Sequence, residues 1–177
     1  MKLNVDGITI ETVPGNIADD EQLTAVVNAA NAQLRTGGGV AGAIHDAAGP
    51  NLARECRELA PIEPGEAVIT SAHDLPNKFV IHTLGPVYGE DRPEDHLLAR
   101  CYRNSLRRAI EHDVDSIGFP AISTGAFGYP SEEAATVALT TVREEASKIE
   151  TVQQIRFVQF SSSDQELYER KFDELLS

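Results

Sequence analysis

The sequence predicts an α/β fold in which a mixed, mostly parallel sheet lies between layers of helices. Short apolar runs typical of buried strands alternate with segments whose apolar residues recur every three or four positions, the helical period. Two glycine-rich loops, at 37–42 and 123–128, follow two of the apolar runs. Ligands of open α/β sheets bind beyond the carboxyl ends of the strands, so we expect both loops to lie at one binding site.

Seven strands are predicted from apolar runs that are bounded by turn residues. The first two flank Asp6-Gly7, a strong hairpin signal, and therefore add an antiparallel edge to the sheet. The predicted strands are residues 3–5, 8–13, 25–28, 66–71, 79–83, 116–120 and 155–160.

Five helices are predicted from apolar stripes together with start and stop signals. Gly49-Pro50 separates the first two, because this dipeptide interrupts a helical pattern. Ser131 is predicted as an N-cap, and the acidic residues that follow it complement the helix dipole. The predicted helices occupy residues 40–48 and 51–59, a stripe at 98–110 that ends near 112, the stretch from 131 to 149, and a stripe at 167–176.

Length and charge narrow the range of functions. The 177 residues favour a single domain spanning residues 1–177. The formal net charge of −13 comes from 28 acidic and 15 basic residues, and it excludes the basic footprint that free nucleic acid needs. Two explanations of the acidity stay open: a solvated surface that aids solubility, and adaptation to high salt, which screens self-repulsion. Any phosphate group is expected to be held by backbone amides.

Cysteine usage and hydropathy indicate a cytoplasmic protein. Cys56 and Cys101 are isolated, so neither a metal site nor a disulfide framework is predicted. The amino terminus lacks the apolar run of a signal peptide, and no stretch is long enough to span a bilayer. We expect a monomer that requires no cofactor and does not bind a membrane.

The stretch from Gly37 to Gly42 matches G-x-G-x-x-G, the dinucleotide-binding fingerprint. Its context argues against an NAD site, because the glycines do not directly follow the strand that ends at Asn28. The acid expected about 20 residues further on falls at Glu63, between two prolines in a predicted turn. A P-loop is excluded, because the sequence has no Gly-Lys-Ser/Thr.

The glycines have a physical use without that fingerprint. Residues without a Cβ let successive N–H groups point at one anion, and a helix start behind them adds the positive end of a dipole. The second loop, from Ser123 to Gly128, has similar character. Either loop alone could be only a tight turn, but two such loops after strands favour a diphosphate gripped from two sides.

Three segments resemble signature segments of the macro domain family. They read AVVNAANAQLRTGGGVAGAIHDAAGP, FVIHTLGP and SIGFPAISTGAFGYP, and the match runs in order from Pro14 to about Arg170. They are similar to the branch of ADP-ribosyl-acceptor hydrolases and O-acetyl-ADP-ribose deacetylases. The resemblance implies a three-layer α/β/α macro fold whose partners are ADP-ribose, its derivatives or mono-ADP-ribosylated proteins.

The resemblance also implies roles for individual residues at the distal ribose and the phosphates. Asn31 matches the residue that touches the distal ribose and is the predicted catalytic residue, whereas Asn28 is expected to bond the loop backbone. The predicted phosphate contacts are one wall formed by Gly38, Gly39 and Val40, and a second wall formed by Ser123, Thr124, Gly125, Ala126 and Phe127, the last of which flanks the distal ribose.

The adenine end differs from the family pattern at one position. Asn16, next to Ile17, stands where the family has an aspartate that accepts a hydrogen bond from the adenine amino group. Its amide oxygen can still accept, but without a charge, so we expect a modestly weaker hold on adenine. Phe160 matches the aromatic residue that stacks on adenine; without the resemblance, a core position is equally open.

A second difference concerns the chemistry. Where deacetylase-type members have an aspartate, the proposed base for the attacking water, this sequence has Ala41. A general base contributes about 10²–10⁴-fold in rate, so we expect weakened catalysis in which a substrate phosphate oxygen orients the water and Asn31 positions the ribose. His45 is a possible replacement, although local packing is favoured for it, and His82 is expected to be buried and bonded to neighbouring backbone.

Three functions stay open from the sequence. The first is hydrolysis at the distal ribose, which releases an acetyl group or an acidic side chain from ADP-ribose. The second is a reader that binds ADP-ribose, free or protein-linked, without turnover. The third is a phosphatase acting on ADP-ribose 1″-phosphate, for which the sequence has no separate feature. We expect the hydrolase, with the reader as the alternative because of Ala41.

Overall fold

A seven-stranded mixed sheet forms the centre of the protein. The computed structural model describes residues 1–177. Its strands are β1 (Lys2–Val5), β2 (Ile8–Pro14), β3 (Ala25–Ala29), β4 (Ala67–Ser71), β5 (Phe79–Thr83), β6 (Ser116–Phe119) and β7 (Gln154–Gln159). All seven predicted strands are confirmed, and no end moves by more than one residue.

Five α-helices cover the two faces of the sheet. They are α1 (Gly39–Ala48), α2 (Pro50–Arg57), α3 (Glu94–Glu111), α4 (Ser131–Ala146) and α5 (Ser162–Leu175). The prediction that Ser131 caps α4 is wrong, because Pro130 occupies the N-cap position and Ser131 is the first helical residue. A one-turn 3₁₀-helix at Ile17–Asp19 is not among the predicted elements. None of the helices is both long and apolar enough to cross a membrane.

The strand order is β1-β2-β7-β6-β3-β5-β4. The five central strands run parallel to one another, from β2 to β5. Both outer strands are antiparallel to their neighbours, β1 to β2 and β4 to β5. The sequence predicts only the first of these antiparallel edges, so the mixed, mostly parallel sheet is confirmed with one further antiparallel strand.

Two hydrophobic cores lie on opposite faces of the sheet. The larger core lies under α3, α4 and α5, and the smaller core lies under α1 and α2. Successive residues of a strand point to opposite faces, so Val27 and Ile81 belong to the larger core while Val26 and Val80 belong to the smaller one. The result is the three-layer α/β/α arrangement.

The carboxyl ends of the five parallel strands form one continuous row. Neighbouring strands lie about 4.8 Å apart, so the row from β2 to β5 is about 19 Å long. The segment after β2 and the segment after β7 leave from one part of the row, and the two glycine-rich loops leave from β6 and β3. A ligand that bridges these segments must therefore be elongated.

Candidate functional site

A cavity of about 810 Å³ lies across this row of strand ends. The segments after β2 and β7 line one end, which we call the β2 end, and the segments after β3 and β6 line the other, the β3 end. All of the residues that the sequence predicts as ligand contacts line it: Asn16, Ile17, Asn31, Gly38, Gly39, Val40, Ser123, Thr124, Gly125, Ala126, Phe127 and Phe160. Their contact with a ligand stays a prediction.

The first wall of the cavity is the start of α1. Gly38 occupies the N-cap position and has no side chain, so the first N–H groups of the helix receive no side-chain cap. Gly39 has a φ of +55°, a conformation that glycine adopts without strain. The uncapped N–H groups and the helix dipole together make this wall a site for an anion.

Gly42 fixes how the glycine loop sits on α1. A Cβ at this position would lie 2.5 Å from the carbonyl oxygen of Gly37, so no larger residue fits unless the loop moves. The Gly42 N–H donates to the Gly38 carbonyl at 3.3 Å. The loop and the first turn of α1 therefore behave as one unit.

Asn31 holds the chain together where it enters the glycine loop. Its Nδ2 donates to the Arg35 carbonyl at 2.8 Å, and its Oδ1 accepts from the Arg35 N–H at 2.9 Å. A primary amide has two hydrogens and two lone pairs, so one of each is left without a partner in the protein. The bonding of the loop backbone that was expected of Asn28 thus belongs to Asn31.

The second wall is the loop after β6, and Ser123 is its central residue. Ser123 is buried, has a φ of +67°, and its hydroxyl oxygen has no hydrogen-bond partner within the protein. Gly85 packs so closely against this hydroxyl that a Cβ at Gly85 would collide with it. Strained backbone and an unpaired polar group of this kind cluster at functional sites. This wall therefore combines strained backbone with a buried hydroxyl that no other protein group satisfies.

Asn16 at the β2 end is already used by the protein. Its Oδ1 accepts a hydrogen bond from the Ala18 N–H at 3.0 Å and caps the 3₁₀-helix. The acceptor role predicted for Asn16 therefore competes with capping, although a second lone pair is left on the oxygen.

Phe160 follows β7 at the same end and is 87% exposed. The alternative that Phe160 is a core residue is wrong, because the strand ends at Gln159 and the ring points away from both cores. A large aromatic side chain left in water at the edge of a cavity offers a flat apolar surface to a ligand.

The cavity is almost free of charge. No lysine or arginine lines it, and Asp164 of α5, at the β2 end, is its only ionisable lining residue. An anionic ligand must therefore be held by N–H and O–H groups and not by a basic side chain.

Ala41 lies in the first turn of α1 and lines the cavity. It is 5% exposed, and no carboxylate, histidine or cysteine lines the β3 end around it. The protein thus supplies polar contacts there but no side chain that can take a proton from water.

Two buried histidines lie behind the first loop. The Nδ1 of His82 lies 3.0 Å from the Asn28 amide nitrogen, and its Nε2 lies 3.0 Å from the Thr70 hydroxyl. The expectation that Asn28 and His82 bond to backbone is wrong, because both bond to side chains. Burial, with a smaller contribution from the neighbouring His45, lowers the pKa of His82 to about 3.

His45 does not line the cavity. Its ring packs 6.4 Å from the ring of His82, and burial lowers its pKa. His45 is therefore placed for packing behind the loop, and it does not stand in for the carboxylate that Ala41 lacks.

Both cysteines are free and buried in the helical layers. Burial raises the pKa of Cys56 and of Cys101 to about 11, so both thiols are protonated at neutral pH. Neither one lines the cavity.

Comparison with known proteins decides the family. Residues 27–138 match the family model of the Macro domain. This chain belongs to the Macro domain family. The matched residues include both glycine-rich loops, which form the two walls of the cavity.

Relatives of this macro domain cover most of the chain. A Macro domain-containing protein of Chlorobaculum tepidum is 49% identical over 166 residues, which are 93% of this chain and 96% of that protein. The O-acetyl-ADP-ribose deacetylase of Klebsiella pneumoniae is 46% identical over 165 residues, 90% of this chain and 94% of that protein. The ADP-ribose glycohydrolase MACROD2 of Xenopus laevis is 48% identical over 156 residues, 86% of this chain but 37% of that longer protein.

Solved structures agree with the fold. The Oceanobacillus iheyensis macrodomain with ADP superposes with a TM-score of 0.95 at 40% identity, over 99% of this chain and 96% of that one. The Trypanosoma brucei macrodomain in complex with ADP-ribose superposes with a TM-score of 0.86 at 39% identity, over 92% of this chain and 68% of that one.

Several lining residues of this macro domain have no predicted role, and Gly85 and Asp164 are two of them. Gly85 lies within the segment FVIHTLGP, which resembles a signature segment of the family, so the sequence did point to its neighbourhood. Asp164 had no such signal, because it precedes the predicted last helix by three residues and nothing local indicates that it reaches the β2 end.

Proposed function

We propose that this macro domain binds ADP-ribose and hydrolyses esters at its distal ribose. The substrates are O-acetyl-ADP-ribose or proteins carrying ADP-ribose on acidic side chains. The observation that carries the proposal is the cavity, which is lined by the uncapped start of α1 and the loop after β6 at the β3 end and by the 87% exposed Phe160 at the β2 end. Relatives named as a deacetylase and a glycohydrolase support the reaction, and macrodomain structures with ADP and ADP-ribose support the ligand.

The diphosphate takes the place between the two walls. The uncapped start of α1 offers N–H groups and the positive end of a dipole, and residues 123–127 form the other wall. Hydrogen bonds to a charged acceptor are worth about 1.5–3 kcal/mol each, so several of them can replace a basic side chain. This arrangement explains how a protein with a net charge of −13 can hold a dianion.

The distal ribose then lies at the β3 end, next to Asn31. Hydrolysis of its ester proceeds by attack of a water oxygen on the acyl carbon. The bond from that carbon to the ribose oxygen breaks, and a proton from the water is delivered to the ribose oxygen. The products are a carboxylic acid and ADP-ribose.

The water is oriented by the substrate and not by a carboxylate. Ala41 cannot accept a proton, so a phosphate oxygen of the substrate accepts the first hydrogen bond from the water. Asn31 has one N–H and one lone pair left for the ribose, which positions the ester. Positioning without a general base gives a slower enzyme, by about 10²–10⁴-fold.

The second candidate function is an ADP-ribose reader without turnover. The observation that favours it is the buried methyl group of Ala41, at the position that matches the family's proposed base. A reader uses the same walls and the same ring of Phe160, so binding alone does not separate the two functions.

A turnover assay separates them. The wild-type protein is offered O-acetyl-ADP-ribose and a glutamyl-ADP-ribosylated protein, and released acetate or free ADP-ribose is quantified. The Asn31→Trp variant, whose large side chain fills the β3 end, serves as the inactive control. We expect the wild-type protein to release product slowly but faster than the Asn31→Trp control. If it releases no product although it still binds ADP-ribose, the protein is a reader and not a hydrolase.

Restoring the carboxylate tests the assignment of Ala41. We expect Ala41→Asp to raise kcat by about 10²–10⁴-fold without tightening ADP-ribose binding. Ala47→Asp is the matched control, because Ala47 is exposed on the same helix and does not line the cavity. Equal kcat values for the two variants would show that position 41 does not lie next to the reacting ester.

A further inference from the structure

Asp164 is the one ionisable residue among the 25 that line the cavity. Its N–H is bonded to the Ser161 hydroxyl, which caps α5, at 3.1 Å. Its carboxylate makes no hydrogen bond or ion pair within the protein, in contrast to the acid of the neighbouring turn, Glu169, which accepts from Gln165 at 3.0 Å. The fold therefore leaves one free carboxylate in a cavity that otherwise holds only neutral groups.

The position of Asp164 keeps this charge away from the diphosphate. Helix α5 packs on β2 and β7, whereas the phosphate walls follow β6 and β3. A carboxylate on the β2 side therefore repels the phosphates less than one at the β3 end would. The same carboxylate at the β3 end would oppose binding.

The other residues at the β2 end indicate which kind of ligand group the Asp164 carboxylate binds. Phe160 provides an exposed ring against which a planar heterocycle can stack. Asn16 is a weaker acceptor than the carboxylate, because its amide oxygen is neutral and already accepts from Ala18 at 3.0 Å. An ionised carboxylate only accepts hydrogen bonds, so its partner on the ligand must be a donor.

We infer that Asp164 is the residue that makes this site select a purine with an exocyclic amine over a purine with a carbonyl at the same position. The inference rests on the proposed function, since it names which group of the ligand the β2 end recognises. The amine of adenine donates to the carboxylate. The carbonyl oxygen of hypoxanthine turns a lone pair toward it, so that two acceptors face each other.

The experiment compares two ligands that differ at the C6 substituent and at the adjacent N1, which accepts a hydrogen bond in adenine and carries an N–H in hypoxanthine. Dissociation constants for ADP-ribose and for its hypoxanthine counterpart are measured by calorimetry with the wild-type protein and with Asp164→Asn. We expect the wild type to prefer ADP-ribose by about tenfold to a hundredfold, the equivalent of one charge-assisted hydrogen bond. We expect Asp164→Asn to reduce this preference to threefold or less, because an amide can donate to a carbonyl as well as accept from an amine.

Glu166→Gln is the matched control. Glu166 is exposed on the same helix, lies outside the cavity lining, and its substitution removes the same charge. We expect it to keep the wild-type preference. Asp164→Ser provides a second variant with no amide, in which the preference also falls.

The outcomes separate the inference from the proposed function. An unchanged preference in Asp164→Asn and Asp164→Ser, with ADP-ribose still bound, overturns the inference and leaves the proposed function standing. An equal loss of preference in Glu166→Gln also overturns it, because general charge would then be the cause. A wild-type protein that binds neither ligand overturns both.

Discussion

Phe160 is a large aromatic side chain that the fold leaves in solvent. It contributes to neither hydrophobic core and is 87% exposed. Stacking of a base on an aromatic ring is worth about 1–3 kcal/mol. We expect Phe160→Ala to weaken ADP-ribose binding by about tenfold to a hundredfold, measured by calorimetry, while the free energy of unfolding changes by less than about 0.5 kcal/mol.

Tyr88→Ala is the control for this substitution. Tyr88 is also a partly exposed aromatic residue, at 41%, but it does not line the cavity. It should leave binding unchanged. Equal affinity in Phe160→Ala and the wild type would show that the exposed ring has no part in holding the ligand.

His82 is a titratable residue whose effect belongs to folding and not to binding. Burial lowers its pKa in the folded protein to about 3, while the unfolded chain has a value of about 6.5. Between these values the unfolded state binds a proton that the folded state does not, so stability is lost as the pH falls below about 6.5. The expected slope approaches about 1.4 kcal/mol per pH unit for this one group.

Urea unfolding at pH 7.0, 6.0 and 5.0 checks this sign. His82→Gln should be less stable at pH 7 but should show a shallower decline with acidity. A residual slope is expected from His45, whose pKa burial also lowers. His96→Gln, a change at an exposed histidine, should decline as the wild type does. A parallel decline in His82→Gln and the wild type would contradict the assignment.

At the scale of elements, one arginine ties the β2 end together. Arg156 of β7 donates to Glu11 of β2 at 2.7 Å and to both oxygens of Asp20, which ends the 3₁₀-helix, at 2.8 and 2.9 Å. All three side chains are about nine-tenths buried. Burial alone would raise the pKa of Glu11, but hydrogen bonds from Arg156 and Gln154 lower it below its ordinary value.

Removing this arginine should both destabilise the protein and loosen the site. Breaking a buried ion pair from one side costs about 3–5 kcal/mol, and the freed Asp20 no longer holds the helix that carries Ile17 into the cavity. We expect Arg156→Gln to lower the free energy of unfolding by about 3 kcal/mol and to weaken ADP-ribose binding. Urea unfolding and calorimetry measure the two effects.

Arg170→Gln is the control for the loss of stability expected in Arg156→Gln. Arg170 pairs with Glu132 at 3.5 Å, but both side chains are more than half exposed, and such pairs contribute about 0–1 kcal/mol. Similar small effects from the two substitutions would mean that the buried cluster does not organise the β2 end.

The elements show why some of this structure was predictable from sequence and some was not. The hairpin at Asp6-Gly7 has a two-residue turn that specifies it locally, and the strands and helices carry clear periods. The antiparallel pairing of β4 has no such signal, because residues 72–78 connect it to β5 by a longer loop that also suits other topologies. The 3₁₀-helix at Ile17–Asp19 is too short to show a period.

The site divides in the same way. The glycine walls and Phe160 lie in segments that resemble a family pattern, and all of them line the cavity. Asn28 and His82 are 54 residues apart in the sequence, and they meet only because β3 pairs with β5. Local sequence patterns therefore cannot predict this contact. The position of Asp164 in the cavity could not be predicted for the same reason, because it depends on how α5 packs on the sheet.

The whole molecule carries a formal net charge of −13, and its ion pairs use only some of the acids. Glu58, Glu150 and Glu166 are exposed and form no ion pair, so they add to self-repulsion in the folded state. The screening length falls from about 10 Å at 0.1 M salt to about 3 Å at 1 M. We propose that this acidity is an adaptation to high salt, and we expect the free energy of unfolding to rise steadily as KCl is added.

Urea, which is uncharged, is the suitable denaturant for this test, because guanidinium would itself screen the protein. A triple variant with glutamine at Glu58, Glu150 and Glu166 changes the formal net charge from −13 to −10. If repulsion limits stability at low salt, this variant gains stability there, and its dependence on KCl becomes shallower than that of the wild type. Stability that does not change between 0.1 and 2 M KCl in either protein means that the acids only solvate the surface, and that the high-salt explanation is wrong.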